Sequence, residues 1–157
     1  HIPFMIAAPG LQGGTTVDAF AQPFDILPTL VELAGLKVAP PQPFHGVSFA
    51  GLLRGEAHEP LRDFAVCGSF LRMSDGHVAS RATTPMMYTD RWMYAPIGTD
   101  GGPELYDVGT DPNATANIAA DNPEVLRGLH DKLLAWLGQI EVPDAAAAPF
   151  RLGGAGG

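Results

Sequence analysis

Residues 2–10, IPFMIAAPG, form a continuous apolar run closed by Pro9 and Gly10. A run that is apolar at consecutive positions suits a strand covered on both faces, as in a parallel sheet flanked by helices. After the Gly-rich turn LQGG, the segment FDILPTLVELAGL predicts a helix from about Ile26 to Ala34. Asp25 is placed to cap its start, Pro28 sits in the first turn where a missing N–H costs little, and Gly35 closes it. An α/β core cannot be built from one parallel strand, and the rest of the chain has no room for further strand-helix units. The first part is therefore expected to belong to a larger sheet whose other strands are missing, or to pair with a partner. His1 leads at once into the apolar run, which suggests a segment cut from a longer chain.

The character changes at Arg62, after two intervening stretches. The proline-rich stretch KVAPPQPFHG reads as extended, and SFAGLLRG as a short apolar segment. From Arg62 onward, DFAVCGSFL, HVASRATT and MMYTDRWMYAPI are β-branched and aromatic runs separated by MSDG and Thr-Pro, the pattern of antiparallel strands and hairpins, and ELYDV adds one more strand. Asn122 and Pro123 then open an amphipathic helix of about four turns, with Leu126, Leu129, Leu133 and Leu137 recurring at spacings of three and four. Beyond Pro143 the tail DAAAAPFRLGGAGG offers little to bury and is expected to be disordered. The expected fold class is α/β, with an α+β C-terminal half. Residues 1–60 supply the end of a large sheet, 61–142 a small antiparallel sheet with a covering helix, and 143–157 a loose tail.

Composition narrows the function. A chain of 157 residues can bury a real core, but a formal charge of −8 with nine Lys and Arg argues against a nucleic-acid surface. No apolar run is long enough for a bilayer, so the chain reads as soluble, cytoplasmic or periplasmic. One cysteine, Cys67, makes no internal disulfide and leaves the compartment open. It lies in an apolar strand and reads as a buried, inert thiol. No residues present a nucleophile with its base or a metal cluster. The five histidines show no metal spacing, and Ser48 and Ser69 lack the glycine-flanked elbow of serine hydrolases. In PELYDVGTDPNATAN, Asp107, Asp111 and Asn113 do not have calcium-loop spacing and read as turn formers, with Asn117 capping the next segment. Asn113-Ala114-Thr115 also fits the short glycan-acceptor pattern. Arg81 and Arg91 are candidate anion contacts, against packing roles. The best substrate-facing candidate is His45, beside Gly46 in the proline-rich loop.

Several stretches in order resemble the sulfatases of the alkaline phosphatase superfamily. HIPFMIAAPG looks like that family's arginine-led apolar strand ending in Pro-Gly, with His1 where arginine is common. FDILPTLVELAGL resembles its "D-hydrophobic-x-P-T-L-x-x-L-A-G" helix at Asp25, Pro28, Thr29, Leu30, Leu33, Ala34 and Gly35. FHGVSFAGLLRG resembles "D-G-x-S-L-x-P-L-L-x-G", departing at His45, Phe49 and Gly51. RATTPMMYTDRWMYAPIG followed by ELYDVGTDPNATANIA is similar to the strand pair and near-terminal "E-L-Y-D-L-x-x-D-P-x-E-x-x-N-L" stretch, through Glu104, Leu105, Tyr106, Asp107, Asp111, Pro112 and Asn117. The resemblance covers residues 1 to about 138.

The resemblance implies the final third or so of a hydrolase that cleaves sulfate esters, structural and cleft-forming here and inactive alone. In the family, a formylglycine made from the cysteine or serine of "C/S-x-P-S-R" attacks sulfur while a calcium ion neutralises the sulfate oxygens. Those residues precede the strand with which this chain begins. Cys67 is followed by Gly68, Ser69 and Phe70 and does not match. No catalytic or metal residue carries over, so calcium and formylglycine are expected in the missing N-terminal part. The implied partners are that part and a small-molecule sulfate ester. Alternatives are a phosphonate monoester or phosphodiester hydrolase of the same superfamily, and a non-catalytic module whose exposed IPFMIA edge recruits a partner strand. An isolated segment with exposed core surface is also expected to self-associate.

Overall fold

The computed structural model describes residues 4–56, 61–68 and 84–151, arranged as two compact units, His1–Asp63 and Phe64–Gly157. Residues 77–83 of the expected strand HVASRATT, including Arg81, lie outside the described residues, as do Ser69 and His58.

In the first unit, Phe4–Ala8 belongs to no strand, and Met5 is 94% exposed. A strand made to be covered on both faces has no sheet to join among the described residues. A 3-10 turn, Pro23–Asp25, leads into helix α1, Ile26–Leu33, which ends at Ala34 with Gly35 at φ +63°. The positive φ is the backbone state glycine adopts without strain, and it stops the helix where the sequence predicts. Asp25 stands at the expected N-cap position of α1 but does not cap it through its side chain. Its side chain makes no capping hydrogen bond to α1 and instead accepts the Gln22 N–H at 2.8 Å. The residue is already helical at φ −80°, ψ −16°, so its carboxylate turns away from the first helical N–H groups. A short helix α2, Ala50–Leu53, comes after the proline-rich loop.

The second unit is a four-stranded antiparallel meander, β1 (Ala65–Cys67), β2 (Met86–Tyr88), β3 (Trp92–Ala95) and β4 (Glu104–Asp107), in that spatial order. Its register places Val66, Met87, Tyr94 and Leu105 opposite one another in a single row across the sheet. Side chains alternate along a strand, so one cross-strand row shares one face. That row is the core, joined by Leu133 and Leu137 of helix α3, Pro123–Gln139, and by Phe150. The β2–β3 hairpin closes on Thr89, whose N–H donates to the Trp92 carbonyl at 2.8 Å while its Oγ1 accepts the Trp92 N–H at 2.9 Å.

Two expectations are corrected. The tail, expected to be loose from 143, instead forms helix α4 at Asp144–Ala147 and a 3-10 turn at Ala148–Phe150. Phe150, only 2% exposed, is the reason: one aromatic ring delivered to the core outweighs a run of alanines with little to bury. Cys67, expected to be buried, is exposed, because Val66 takes the core face of β1 and the next residue must point the other way. Partial burial still pushes its thiol above the ordinary value, which keeps it protonated near neutrality.

A buried histidine completes the core. His130 lies on the α3 stripe, four residues after Leu126 and three before Leu133, and its Nδ1 shares a 2.8 Å hydrogen bond with the buried Tyr94 hydroxyl. Burial holds the imidazole below its ordinary 6.5, against the opposing pull of Asp131, and burial pushes the Tyr94 phenol up. Between the lowered folded value and 6.5 the unfolded chain binds more protons. This contribution to stability is therefore full above about pH 6.5 and falls as the pH drops from there. Urea unfolding of the chain at about pH 7.5 and about pH 5 should show this loss, and His130→Gln should abolish it. An equal loss in His130→Gln would show that the imidazole is not the titrating group.

Candidate functional site

The first unit concentrates its polar contacts on one residue. Asp25 has no exposed surface, and its carboxylate accepts the Gln22 N–H through Oδ2 and the Val47 N–H, at 2.8 Å, through Oδ1. The Arg62 guanidinium straddles both oxygens, with Nη2 to Oδ1 at 2.7 Å and Nη1 to Oδ2, and lies over the Phe24 ring at 5.2 Å. Planar two-point pairing and stacking suit arginine and not lysine. Thr29 extends the network: its Oγ1 donates to the Asp25 carbonyl at 2.6 Å and accepts the Phe49 N–H at 3.1 Å.

These bonds fix the loop that carries His45. Val47 is tied to Asp25, Phe49 to Thr29, and Gly46, just before Val47, presses on the backbone of Phe24. A Cβ at Gly46 would lie 2.0 Å from the Phe24 carbonyl oxygen, so only glycine fits. His45 itself is exposed, next to this pinned point and beside the N-terminal end of α1. Ser48 is used locally, its Oγ accepting the Ala50 N–H at 3.2 Å.

The other candidates are spent on structure. Arg91 pairs with Asp107 through Nε and Nη2, at 3.0 and 2.8 Å, and its guanidinium lies 4.5 Å from the centre of the Trp92 ring. That pairing holds the Asp107 carboxyl below the usual carboxylate range. Asp111 is held down chiefly by the Ala116 N–H at 2.9 Å, with the Thr115 N–H at 2.6 Å. Asn117 does not cap a helix: its Oδ1 accepts the Leu105 N–H at 3.1 Å and the Ala119 N–H at 3.0 Å, clipping the turn to β4. Thr115 Oγ1 of the glycan-acceptor pattern is bonded to the Asp111 carboxylate at 3.1 Å.

Two features escape a reading of the sequence. The Asp25–Arg62 pair spans 37 positions and has no local signal. The Tyr94–His130 pair does leave a trace, in the placement of His130 on the leucine stripe of α3. Among the described residues, no three His, Cys, Asp or Glu side chains gather as metal ligands. Both oxygens of Asp25, the most enclosed carboxylate, are already engaged. A divalent cation therefore does not fit the donor set of the described residues. No helix among the described residues is long and apolar enough to cross a membrane.

Comparison with known proteins adds an external measure. The family model for "N-sulphoglucosamine sulphohydrolase, C-terminal" matches residues 1–139. Arylsulfatase K of Bos taurus is 32% identical over 137 residues, covering 85% of this chain and 25% of the relative. The Delta 4,5-hexuronate-2-O-sulfatase of Bacteroides thetaiotaomicron is 36% identical over 127 residues, covering 77% and 24%. Among solved structures, the phosphonate monoester hydrolase of Agrobacterium radiobacter superposes with a TM-score of 0.62 at 28% identity, over 78% of this chain and 26% of that one. The chain thus spans about a quarter of the length of the curated relatives it matches.

The anchoring network makes a direct prediction. Asp25→Ala leaves Arg62 buried and unpaired and should destabilise the first unit by about 3–5 kcal/mol. Gly46→Ala should also destabilise it, by forcing Phe24 and the His45 loop apart. Hydrogen exchange of the Val47 and Phe49 amides reads both effects, and unchanged protection in either variant would show that the network does not hold the loop.

Proposed function

The chain belongs to the family of N-sulphoglucosamine sulphohydrolase C-terminal domains, and on that premise we propose that it is the C-terminal portion of a sulfuric ester hydrolase, inactive by itself. The single observation that carries this reading is the family match across residues 1–139 of a chain that spans only a quarter of its full-length relatives. Its partners are the N-terminal part of the parent enzyme and a small-molecule sulfate ester. Calcium and formylglycine, which supply the electrophilic clamp and the nucleophile in such enzymes, belong to that N-terminal part. The described residues support this assignment, since Asp25, Asp107 and Asp111 are all committed to arginine or backbone N–H groups.

His45 is the residue of this chain that faces the substrate. In open α/β sheets ligands sit beyond the C-terminal ends of the strands, the end at which the next helix begins. The Asp25–Val47 hydrogen bond brings the His45 loop back to the start of α1, the first helix after the apolar segment Phe4–Ala8. An imidazole there can donate to an anionic or hydroxylated substrate.

A second reading, hydrolysis of phosphonate monoesters, is favoured by the likeness to the Agrobacterium radiobacter enzyme. The family match favours sulfate. Aryl sulfate against aryl phosphonate turnover by the intact parent decides between them.

The 157-residue chain alone should show no aryl sulfate hydrolysis, and turnover by chain purified free of other enzymes would overturn the reading. In the intact parent, His45→Ala should raise KM for the sulfated substrate on the order of tenfold with a smaller change in kcat, as expected when a binding hydrogen bond is lost. An unchanged KM would remove His45 from the substrate site.

A further inference from the structure

One guanidinium grips both supports of the His45 loop. The loop leans on two neighbouring residues: Gly46 presses on the Phe24 backbone, and the Val47 N–H donates to Asp25 Oδ1 at 2.8 Å. Arg62 holds the same two residues. Its guanidinium lies 5.2 Å from the centre of the Phe24 ring, Nη2 donates to that same Oδ1 at 2.7 Å, and Nη1 donates to Oδ2. His45 is exposed one position before Gly46, so Arg62 acts on its loop through Phe24 on one side and Asp25 on the other. The second tie of the loop, from the Phe49 N–H to Thr29 Oγ1, also returns to Asp25, through the Asp25 carbonyl.

What this arrangement adds over charge alone is direction. A carboxylate turns easily about its Cβ–Cγ bond, and the Val47 hydrogen bond needs Oδ1 in one place. Two-point pairing fixes the carboxylate plane and with it Oδ1, whereas a single ammonium fixes one oxygen and leaves the plane free to turn. Enclosure preserves the geometry. The Arg62 and Asp25 side chains are 9% and 0% exposed, while the pairs Arg54–Glu32, Arg91–Asp107 and Arg151–Asp144 each keep an arginine more than a third exposed. Exposed pairs are screened and constrain little.

We propose that Arg62 is a positioning residue for substrate binding: its fork on Asp25 and its stacking on Phe24 set where the His45 imidazole stands, and substrate affinity in the parent enzyme depends on Arg62 through His45. The inference rests on reading His45 as the residue that faces the substrate. A lysine at position 62 keeps the charge and loses both the fork and the planar stacking, so it separates direction from charge. A role confined to stability would lower the amount of folded enzyme and leave the KM of the folded fraction unchanged. Nor would such a role depend on which side chain stands at position 45.

The test is a double-mutant cycle in the intact parent, with 4-nitrophenyl sulfate or 4-nitrophenyl phenylphosphonate as substrate, whichever the parent turns over. His45→Ala should raise KM on the order of tenfold, and Arg62→Lys roughly three- to tenfold with kcat changed by less than about twofold. The double variant should match His45→Ala alone, because a loop without its imidazole has nothing left to place. A KM unchanged by Arg62→Lys would overturn the positioning role and leave His45 in the site. Increases in KM that multiply in the double variant would also overturn it, by placing the effect of Arg62 elsewhere. An unchanged KM in His45→Ala defeats the premise and the inference together, so the two failures are told apart. Where Arg62→Lys does not accumulate as folded enzyme, Phe24→Leu takes its place, removing the ring under the guanidinium while leaving both carboxylate bonds. It should raise KM roughly two- to fivefold, and only where His45 is present. No rise, or a rise that persists with His45→Ala, would overturn the proposal.

Discussion

A carboxylate with no exposed surface organises the first unit. Asp25 binds the turn before α1 through Gln22, the loop after it through Val47, and the end of the unit through Arg62, joining segments up to 37 positions apart. Burying two charges carries a large desolvation cost, and well-packed apolar residues in their place are often as stable or more so. The return is geometric. A forked arginine and two backbone N–H groups admit one arrangement, so the loop through His45 and Gly46 takes one path. Asp25 and Thr29 share the interior with Phe49 and Ala50, while Leu27 and Leu30 stay exposed.

The second unit solves the opposite problem by ordinary means. Its row of Val66, Met87, Tyr94 and Leu105 meets Leu133 and Leu137 of α3, and Phe150 completes the cluster. Where β4 ends the sheet, Asn117 accepts the Leu105 N–H and the Ile118 N–H reaches the Leu105 carbonyl at 2.9 Å. That clip occupies the outward N–H and C=O of Leu105, two of the groups an edge strand would otherwise present to other chains. Among the described residues, the second unit exposes no large apolar side chain and the first exposes nine.

The difference decides how much is legible in the sequence. Helices α1 and α3 can be read because their signals are local: Pro28 and Gly35 for one, Pro123 and the leucine spacing for the other. Strands β2, β3 and β4 announce themselves as aromatic and β-branched runs, and the family resemblance is carried by motif residues in order. The role of Asp25 is misread because an aspartate before a helix looks like a cap whatever its side chain does, and its true partner Arg62 is remote. Phe150 is hidden in an alanine-rich tail because composition averages over the one residue that packs. Cys67 is placed inside because a strand of mixed small and apolar residues does not announce which face is covered. The pinning of the His45 loop is invisible for the same reason as the ion pair, since neither Gly46 nor Val47 carries a signal that points to residue 25.

The motif residues best matched to the family at the end of β4 are bound into the structure. Asp107 is bound by Arg91, Asp111 by the Thr115 and Ala116 N–H groups, and Asn117 by Leu105 and Ala119. Each side chain satisfies backbone or arginine donors that would otherwise be unpaired at the end of β4. A substitution there loses hydrogen bonds before it loses any chemistry. The pattern ELYDVGTDPNATAN therefore reports what this sheet requires in order to close, and it identifies the family through architecture. In the first unit the loop at His45 is exposed on a path fixed by Asp25 and Thr29, and the proposed substrate contact rests on that geometry.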